Sequence, residues 1–194
     1  MKCVNLLACV FISLFCFSCT DRKERINKIW EIEETIDYQN FSDDDRTKLD
    51  DVIESFISEQ KRNSSDWNSG FSQQCTVMKQ LYFYKHLSKE EYLKECIKIY
   101  ERYTPIKDKI SFQTCGYAVC LYYSGEKEKS LELFSRILES DCKNNFEYES
   151  VYEGVVILAT KILDKDTKDV KNYELFNEIY PLEEDEIILN FVGW

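Results

Sequence analysis

The sequence contains little of what β-sheets and common catalytic sites require. It has five glycines and two prolines in 194 residues, and no Asn-Gly or Asp-Gly pair at which a hairpin of strands would turn. It has a single histidine, His86, and no serine or cysteine motif with a catalytic partner nearby. The dipole and unpaired carbonyl groups of a helix C-terminus explain such a histidine. We therefore expect an all-α fold, no catalytic residues and no enzymatic activity.

Basic residues are also in the minority. Lys and Arg total 25 against 36 Asp and Glu, which gives a net charge of −11. Such a surface repels phosphate backbones, so we expect no nucleic acid partner. Asp43-Asp44-Asp45 and residues 183–186 are acidic clusters, but they lack the ligand spacing and central glycine of a calcium loop. We interpret them as a helix start and a solvated surface, and predict no metal and no cofactor.

The N-terminus has the pattern of a signal peptide. Lys2 is its only charge, and an apolar run extends from Val4 to Phe17. This run is shorter than the roughly 20 residues that a membrane-spanning helix needs. The sequence therefore predicts a segment that is removed rather than one that spans a membrane.

The end of this segment carries a second pattern. Ser18-Cys19, followed by the polar residues 20–25, resembles the lipobox of bacterial lipoproteins, in which a small residue precedes an acylated cysteine. The resemblance implies a signal peptide at 1–18, lipidation of Cys19, and a cell-envelope protein anchored to a bacterial membrane and facing the periplasm. Cys16 stands where the family usually has leucine, and Phe17 follows it. An ordinary secretory signal without lipid is the alternative.

After cleavage, residues 19–194 have the length and pattern of a single all-helical domain. Apolar residues recur at helical spacing, and Ser42 with Asp45, like Ser88 with Glu91, has the spacing of a capping box. We expect antiparallel helical hairpins, arranged as a solenoid or an irregular bundle. The expected parts are an N-terminal helix pair at 19–62, repeat-like hairpins at 71–180 and a C-terminal cap at 181–194.

One of these hairpins, residues 111–144, resembles a tetratricopeptide repeat. Ala118 is the small residue of its first helix, Gly125 lies in the turn, and Ser130, Phe134 and Ile137 occupy the positions expected on the second helix. Cys142 replaces the usual final proline, and residues 73–106 form a fainter copy.

The resemblance implies a concave surface lined by the first helix of each pair. The residues that it nominates are Val77, Leu81, Tyr84, Phe112, Val119, Tyr122 and Tyr123. The alternative for each is a place in the core, because aromatic and aliphatic stripes at helical spacing are usually buried.

Two functions are compatible with these features. The first is a lipid-anchored interaction protein that binds a protein or peptide partner through its helical-repeat surface. The second is an immunity- or inhibitor-type lipoprotein that neutralises a toxin or enzyme by covering it.

The cysteines and the C-terminus complete the expectations. Cys75, Cys96, Cys115, Cys120 and Cys142 form no Cys-x-x-Cys pair, and their odd number means that at least one thiol stays free or pairs with another molecule. An oxidising envelope leaves room for one or two disulfides among them, whose connectivity the sequence does not give. Residues 187–194 are too apolar for a free tail; we expect them to cover the end of the last hairpin, with a partner-docking peptide as the alternative.

Overall fold

The computed structural model describes residues 21–62, 70–103, 110–146, 148–165 and 183–192. The signal peptide and Cys19 lie outside these residues. Within them, all regular secondary structure is helical, so the all-α prediction is confirmed. The helices are α1 (residues 21–33), α2 (Asp43–Arg62), α3 (Phe71–Phe83), α4 (Lys89–Arg102), α5 (Phe112–Tyr123), α6 (Lys127–Glu139), α7 (Glu149–Ile162) and α8 (Glu184–Phe191), with a 3₁₀ turn at Lys143–Asn145.

The helices pack in the order of the chain. Each helix from α2 to α6 contacts the next one, and α8 returns to pack against α5. Helix α1 joins this array through Trp30, whose ring centroid lies 5.1 Å from that of Phe56 on α2. One core cluster extends from Ile29 on α1 to Val192 after α8. The array therefore has a continuous apolar interior.

Both predicted capping boxes are present. The Ser42 N–H donates to Asp45 at 3.0 Å, and the Asp45 N–H donates to the Ser42 hydroxyl at 3.2 Å. The Ser88 N–H donates to Glu91 at 2.8 Å, and the Glu91 N–H donates to Ser88 at 3.3 Å. These bonds favour the ionised carboxylates and so lower the pKa of both Asp45 and Glu91. Each box fixes the start of its helix, α2 or α4.

Helices α3, α5 and α7 end in the same way. Each is followed by a residue in the left-handed region: Lys85 (φ 64), Gly125 (φ 97) and Asp164 (φ 50). In all three turns, the N–H of the following residue bonds back to a carbonyl of the last helical turn, as in a Schellman motif. These bonds are His86 to Leu81 (2.8 Å), Glu126 to Leu121 (2.9 Å) and Lys165 to Thr160 (3.0 Å). The same kind of turn therefore ends α3, α5 and α7 at similar intervals along the chain.

The α5–α6 hairpin shows why small residues are needed between its helices. Ala118 and Ser130 are fully buried, and the Ser130 hydroxyl donates to the Ala118 carbonyl at 2.7 Å. Phe134 and Ile137, one and two turns further along α6, are also fully buried. A larger side chain at 118 or 130 would separate the two helices and break this hydrogen bond.

Consecutive helices run in opposite directions, so the molecule has two ends. At the basal end, α1 starts beside the end of α2, where Arg25 Nε lies 2.8 Å from Glu59 Oε1. At the distal end, the α1–α2 loop meets the turn after α3, where the Tyr38 and Tyr84 ring centroids are 5.9 Å apart. The three turns with left-handed residues all lie at the distal end.

Candidate interaction site

Four aromatic rings form a connected series at the distal end. Proceeding from Phe41 to Tyr38, Tyr84 and Phe83, the centroid distances are 6.2, 5.9 and 5.2 Å. Phe83 is 63% exposed, whereas Phe41, Tyr38 and Tyr84 are half-buried. We call these four residues the aromatic ladder. An exposed ring supported by half-buried ones is the arrangement expected of a contact residue rather than of the core.

The loop that carries half of the ladder is held by polar contacts. The Tyr38 hydroxyl donates to Glu33 at 2.8 Å, and burial together with this bond raises the pKa of Tyr38. The Asp37 carboxylate accepts the N–H groups of Gln39 and Asn40, each at 3.0 Å. These bonds fix the loop between α1 and α2 and so hold the Tyr38 ring in place.

His86 and Arg46 complete the surroundings of the ladder. The His86 ring centroid is 4.7 Å from that of Phe41, and its Nε2 hydrogen-bonds the Tyr38 carbonyl. The Arg46 guanidinium lies 5.6 Å from the Phe41 ring centroid, which is within cation–π distance. His86 therefore joins the turn after α3 to the α1–α2 loop.

The ladder includes one residue that the sequence nominated, Tyr84, and three that it did not. Tyr38 and Phe41 stand in the otherwise polar segment between Asp37 and Asp43, and Phe83 precedes the nominated tyrosine. Aromatic residues inside a polar loop are the signal that would have found the first two.

A second aromatic pair lies at the end of α5. The Tyr122 and Tyr123 ring centroids are 5.1 Å apart at nearly right angles, and Lys127 Nζ lies 5.4 Å from the centre of the Tyr122 ring. Burial, with the nearby charge of Glu184, raises the pKa of Tyr123 to about 12. This pair precedes the Gly125 turn as Phe83 and Tyr84 precede the Lys85 turn, so it extends the aromatic character of the distal end.

The remaining nominated residues lie elsewhere. Val77, Leu81 and Val119 belong to the buried core, and the Phe112 ring stacks on Phe191 of α8 with centroids 6.0 Å apart. These four side chains are therefore covered in the folded chain. Of the four, Phe112 packs against α8, and Val77, Leu81 and Val119 lie in the core cluster.

Helix α8 covers the side of α5 that carries Phe112. Ile188 and Val192 are fully buried, while at its start Glu184 pairs with Lys89 and Asp185 accepts the Tyr82 hydroxyl at 3.1 Å. The end of the last predicted hairpin falls outside the described residues; within them, α8 lies on α5. The reason is complementarity, because the apolar side of α8 meets the apolar side of α5.

A glycine makes the close contact with α8 feasible. A Cβ at Gly116 would lie 2.6 Å from the carbonyl oxygen of Phe191 and 2.2 Å from the hydroxyl of Tyr100. Both distances are shorter than van der Waals contact, so any larger residue would push α8 or Tyr100 away. Gly116 is therefore needed for the fit of α8 rather than for backbone freedom.

The five cysteines after position 19 are all buried and unpaired. Cys75, Cys96 and Cys120 are neighbours at the junction of α3, α4 and α5. Burial raises the pKa of Cys115 and Cys120. In the described part of the chain, no group of His, Cys, Asp and Glu has an arrangement that would hold a metal ion.

We expect these thiols to be unreactive in the folded protein. Burial keeps reagents away from all five sulfur atoms, and the raised pKa of Cys75, Cys115 and Cys120 also reduces the thiolate that attacks electrophilic reagents. Titration with a chromogenic disulfide should give almost no signal until denaturant is added, after which all five should react without prior reduction. Thiols that appear only after a reductant is added would instead show that the chain holds disulfides.

No described helix has the length and apolarity needed to cross a membrane. The chain matches no known protein family, no curated protein and no solved structure.

Proposed function

We propose that the chain is a lipid-anchored interaction protein of the cell envelope that binds a protein or peptide partner through its distal end. The observation that carries this proposal is the exposed Phe83 at the head of the aromatic ladder. Interface energy is concentrated in a few aromatic side chains that are held rigid before binding. The ladder has both properties.

The charge around the ladder indicates the chemistry of the partner. The α1–α2 loop and the start of α2 carry Glu33, Glu34, Asp37, Asp43 and Asp44, against Arg46 beside Phe41 and Lys85 directly after Tyr84. An acidic rim around an apolar centre favours a partner with an apolar group surrounded by lysine or arginine. Nucleic acid, whose phosphates the rim repels, does not fit this description.

The proposed anchor places this site away from the membrane. Helix α1 is described from residue 21, two residues after Cys19, and its 13 residues at about 1.5 Å each extend roughly 20 Å toward the distal end. A lipid on Cys19 would hold the basal end near the bilayer. The aromatic ladder would then face the aqueous space, where a partner can reach it.

Site-specific photocrosslinking tests the proposal. A photoreactive amino acid at Phe83 in the full-length protein should crosslink one partner in native membranes, and Cys19→Ala should abolish that product. Tyr148, which is 60% exposed and lies at the basal end before α7, provides a matched aromatic control that should not give it.

The outcomes have distinct meanings. Identical products from Phe83 and Tyr148, or none from either, would contradict a distal binding site. A partner whose toxic or enzymatic activity is lost in the complex would identify the protein as the inhibitor type rather than as an adaptor.

A further inference from the structure

We propose that the basal end of the α1–α2 pair is a docking surface for anionic lipid headgroups, which fixes the orientation of the protein on its membrane. The inference rests on the proposed anchor at Cys19 and adds to it a second, electrostatic contact. It assigns a role to a basic surface on a protein whose net charge is −11.

The distribution of charge along the first two helices is strongly uneven. Basic residues concentrate where α1 starts and α2 ends, whereas the opposite end of the same pair is acidic. The basic residues are Arg22, Lys23, Arg25, Lys28, Lys61 and Arg62, and the acidic residues among them are Asp21, Glu24 and Glu59. The basal surface thus carries a net positive charge although the chain as a whole is acidic.

A buried carboxylate holds this surface together. Glu59, whose side chain is 4% exposed, accepts Arg25 Nε at 2.8 Å and Arg25 Nη2 at 3.2 Å. The same carboxylate accepts Arg62 Nη1 at 3.0 Å. One buried negative charge therefore positions two arginines from different helices at the same end of the molecule.

Beside these arginines is an open cleft between α1 and α2, with a volume of about 520 Å³. Arg62 and Lys28 line it together with the hydroxyl-bearing Ser55 and Ser58, while Asp51 and Glu54 lie on the part of α2 nearer the distal end. A phosphate group is therefore favoured at the basal side of the cleft and disfavoured further along it.

The short segment between the proposed anchor at Cys19 and the start of α1 identifies the membrane surface as the partner of this basic surface. Only Thr20 separates Cys19 from Asp21, so the two Cα atoms are at most about 7 Å apart when the chain is extended. This is within the Debye length of about 8 Å at physiological ionic strength, so a lipidated Cys19 would hold the basal end inside the field of the headgroups. Each basic residue near an anionic bilayer surface strengthens attachment several-fold.

Lysine footprinting in vesicles tests the inference on the full-length protein, produced with its acyl chains in a bacterial host. Four exposed lysines serve as reporters: Lys23 and Lys61 at the basal end, and Lys85 and Lys165 at the distal end. The protein is reconstituted into phosphatidylglycerol or phosphatidylcholine vesicles and labelled with an amine-reactive ester. The anchor is the same in both, so a difference between them reports the headgroup charge.

In phosphatidylglycerol, labelling of Lys61 and Lys23 should fall on the order of five-fold relative to phosphatidylcholine, and the difference should vanish at about 1 M salt. Labelling of Lys85 and Lys165 should be the same in both vesicles. In the Lys61→Glu variant, Lys23 should lose most of its protection, while the control variant Lys94→Glu, on the exposed side of α4, should retain it.

Equal labelling of Lys61 in the two kinds of vesicle would overturn the inference while leaving the anchor intact. If the protein does not float with either kind of vesicle in a density gradient, the proposed anchor is contradicted, and the inference with it. Protection of the distal lysines together with the basal ones would show that the protein lies flat on the bilayer, which also overturns the proposed orientation.

Discussion

Replacement of Gly70 by alanine should lower the free energy of unfolding by about 3–5 kcal/mol, because left-handed strain and a backbone clash act together. Gly70 precedes α3 with φ +82, where an L-residue is strained. Its Cβ would also lie 2.0 Å from the carbonyl oxygen of Phe56 and 2.9 Å from the carbonyl carbon. Because these atoms belong to the backbone of α2, rotation of a side chain cannot relieve the clash. Urea denaturation followed by circular dichroism measures the loss.

Gly125 provides the matched control for this experiment. Its φ of +97 imposes the same kind of strain, but a Cβ at this position would meet no neighbouring atom within 4 Å. Alanine there should cost only the conformational strain, about 1–2 kcal/mol. Equal losses of stability in Gly70→Ala and Gly125→Ala would contradict the close contact between Gly70 and the backbone of α2.

Replacement of Phe191 by alanine should lower the free energy of unfolding by about 3–5 kcal/mol, the usual cost of truncating a buried aromatic residue. Phe191 is 6% exposed and stacks on Phe112, so its loss would leave a cavity between α8 and α5. Thermal unfolding measures this effect. Ile32→Ala, at a position that is 46% exposed, should change stability by less than about 0.5 kcal/mol.

The Phe191→Ala variant also distinguishes the two interpretations of the C-terminal segment, a structural cover and a docking peptide for a partner. A less stable protein that still crosslinks its partner from Phe83 would indicate that α8 is a structural cover. Unchanged stability with loss of the crosslinked product would indicate a docking peptide, and would contradict the packing of α8 on α5.

Local rules made much of this fold predictable. A capping box depends on residues three apart, so Ser42 with Asp45 and Ser88 with Glu91 were sufficient to locate two helix starts. The turn at Gly125 needed only a glycine between two apolar-patterned segments. The scarcity of strand-forming turns gave the fold class. The signal peptide and the lipidation of Cys19 lie outside the described residues and remain predictions.

The candidate site was less predictable, because exposure depends on distant parts of the chain. Helical spacing shows that Phe112 faces an apolar surface, but not whether that surface belongs to a partner or to another helix of the chain. The covering helix is far away in sequence: Tyr82 and Asp185, which hydrogen-bond at its start, are separated by 103 residues. The ladder likewise joins a loop to a turn, through Tyr38 and His86, 48 residues apart.

The place of α8 in the chain has a consequence for biosynthesis. A ribosome or secretion channel delivers the protein from its N-terminus, and helical hairpins form from local contacts as they emerge. The apolar side of α5 around Phe112 therefore stays exposed to solvent until residues 184–192 have been synthesised. A nascent or proteolytically shortened chain that lacks these residues would expose this apolar surface, to which chaperones and other copies of the chain can bind. Loss of a few C-terminal residues would thus lower the yield of folded protein even though it removes no residue of the aromatic ladder.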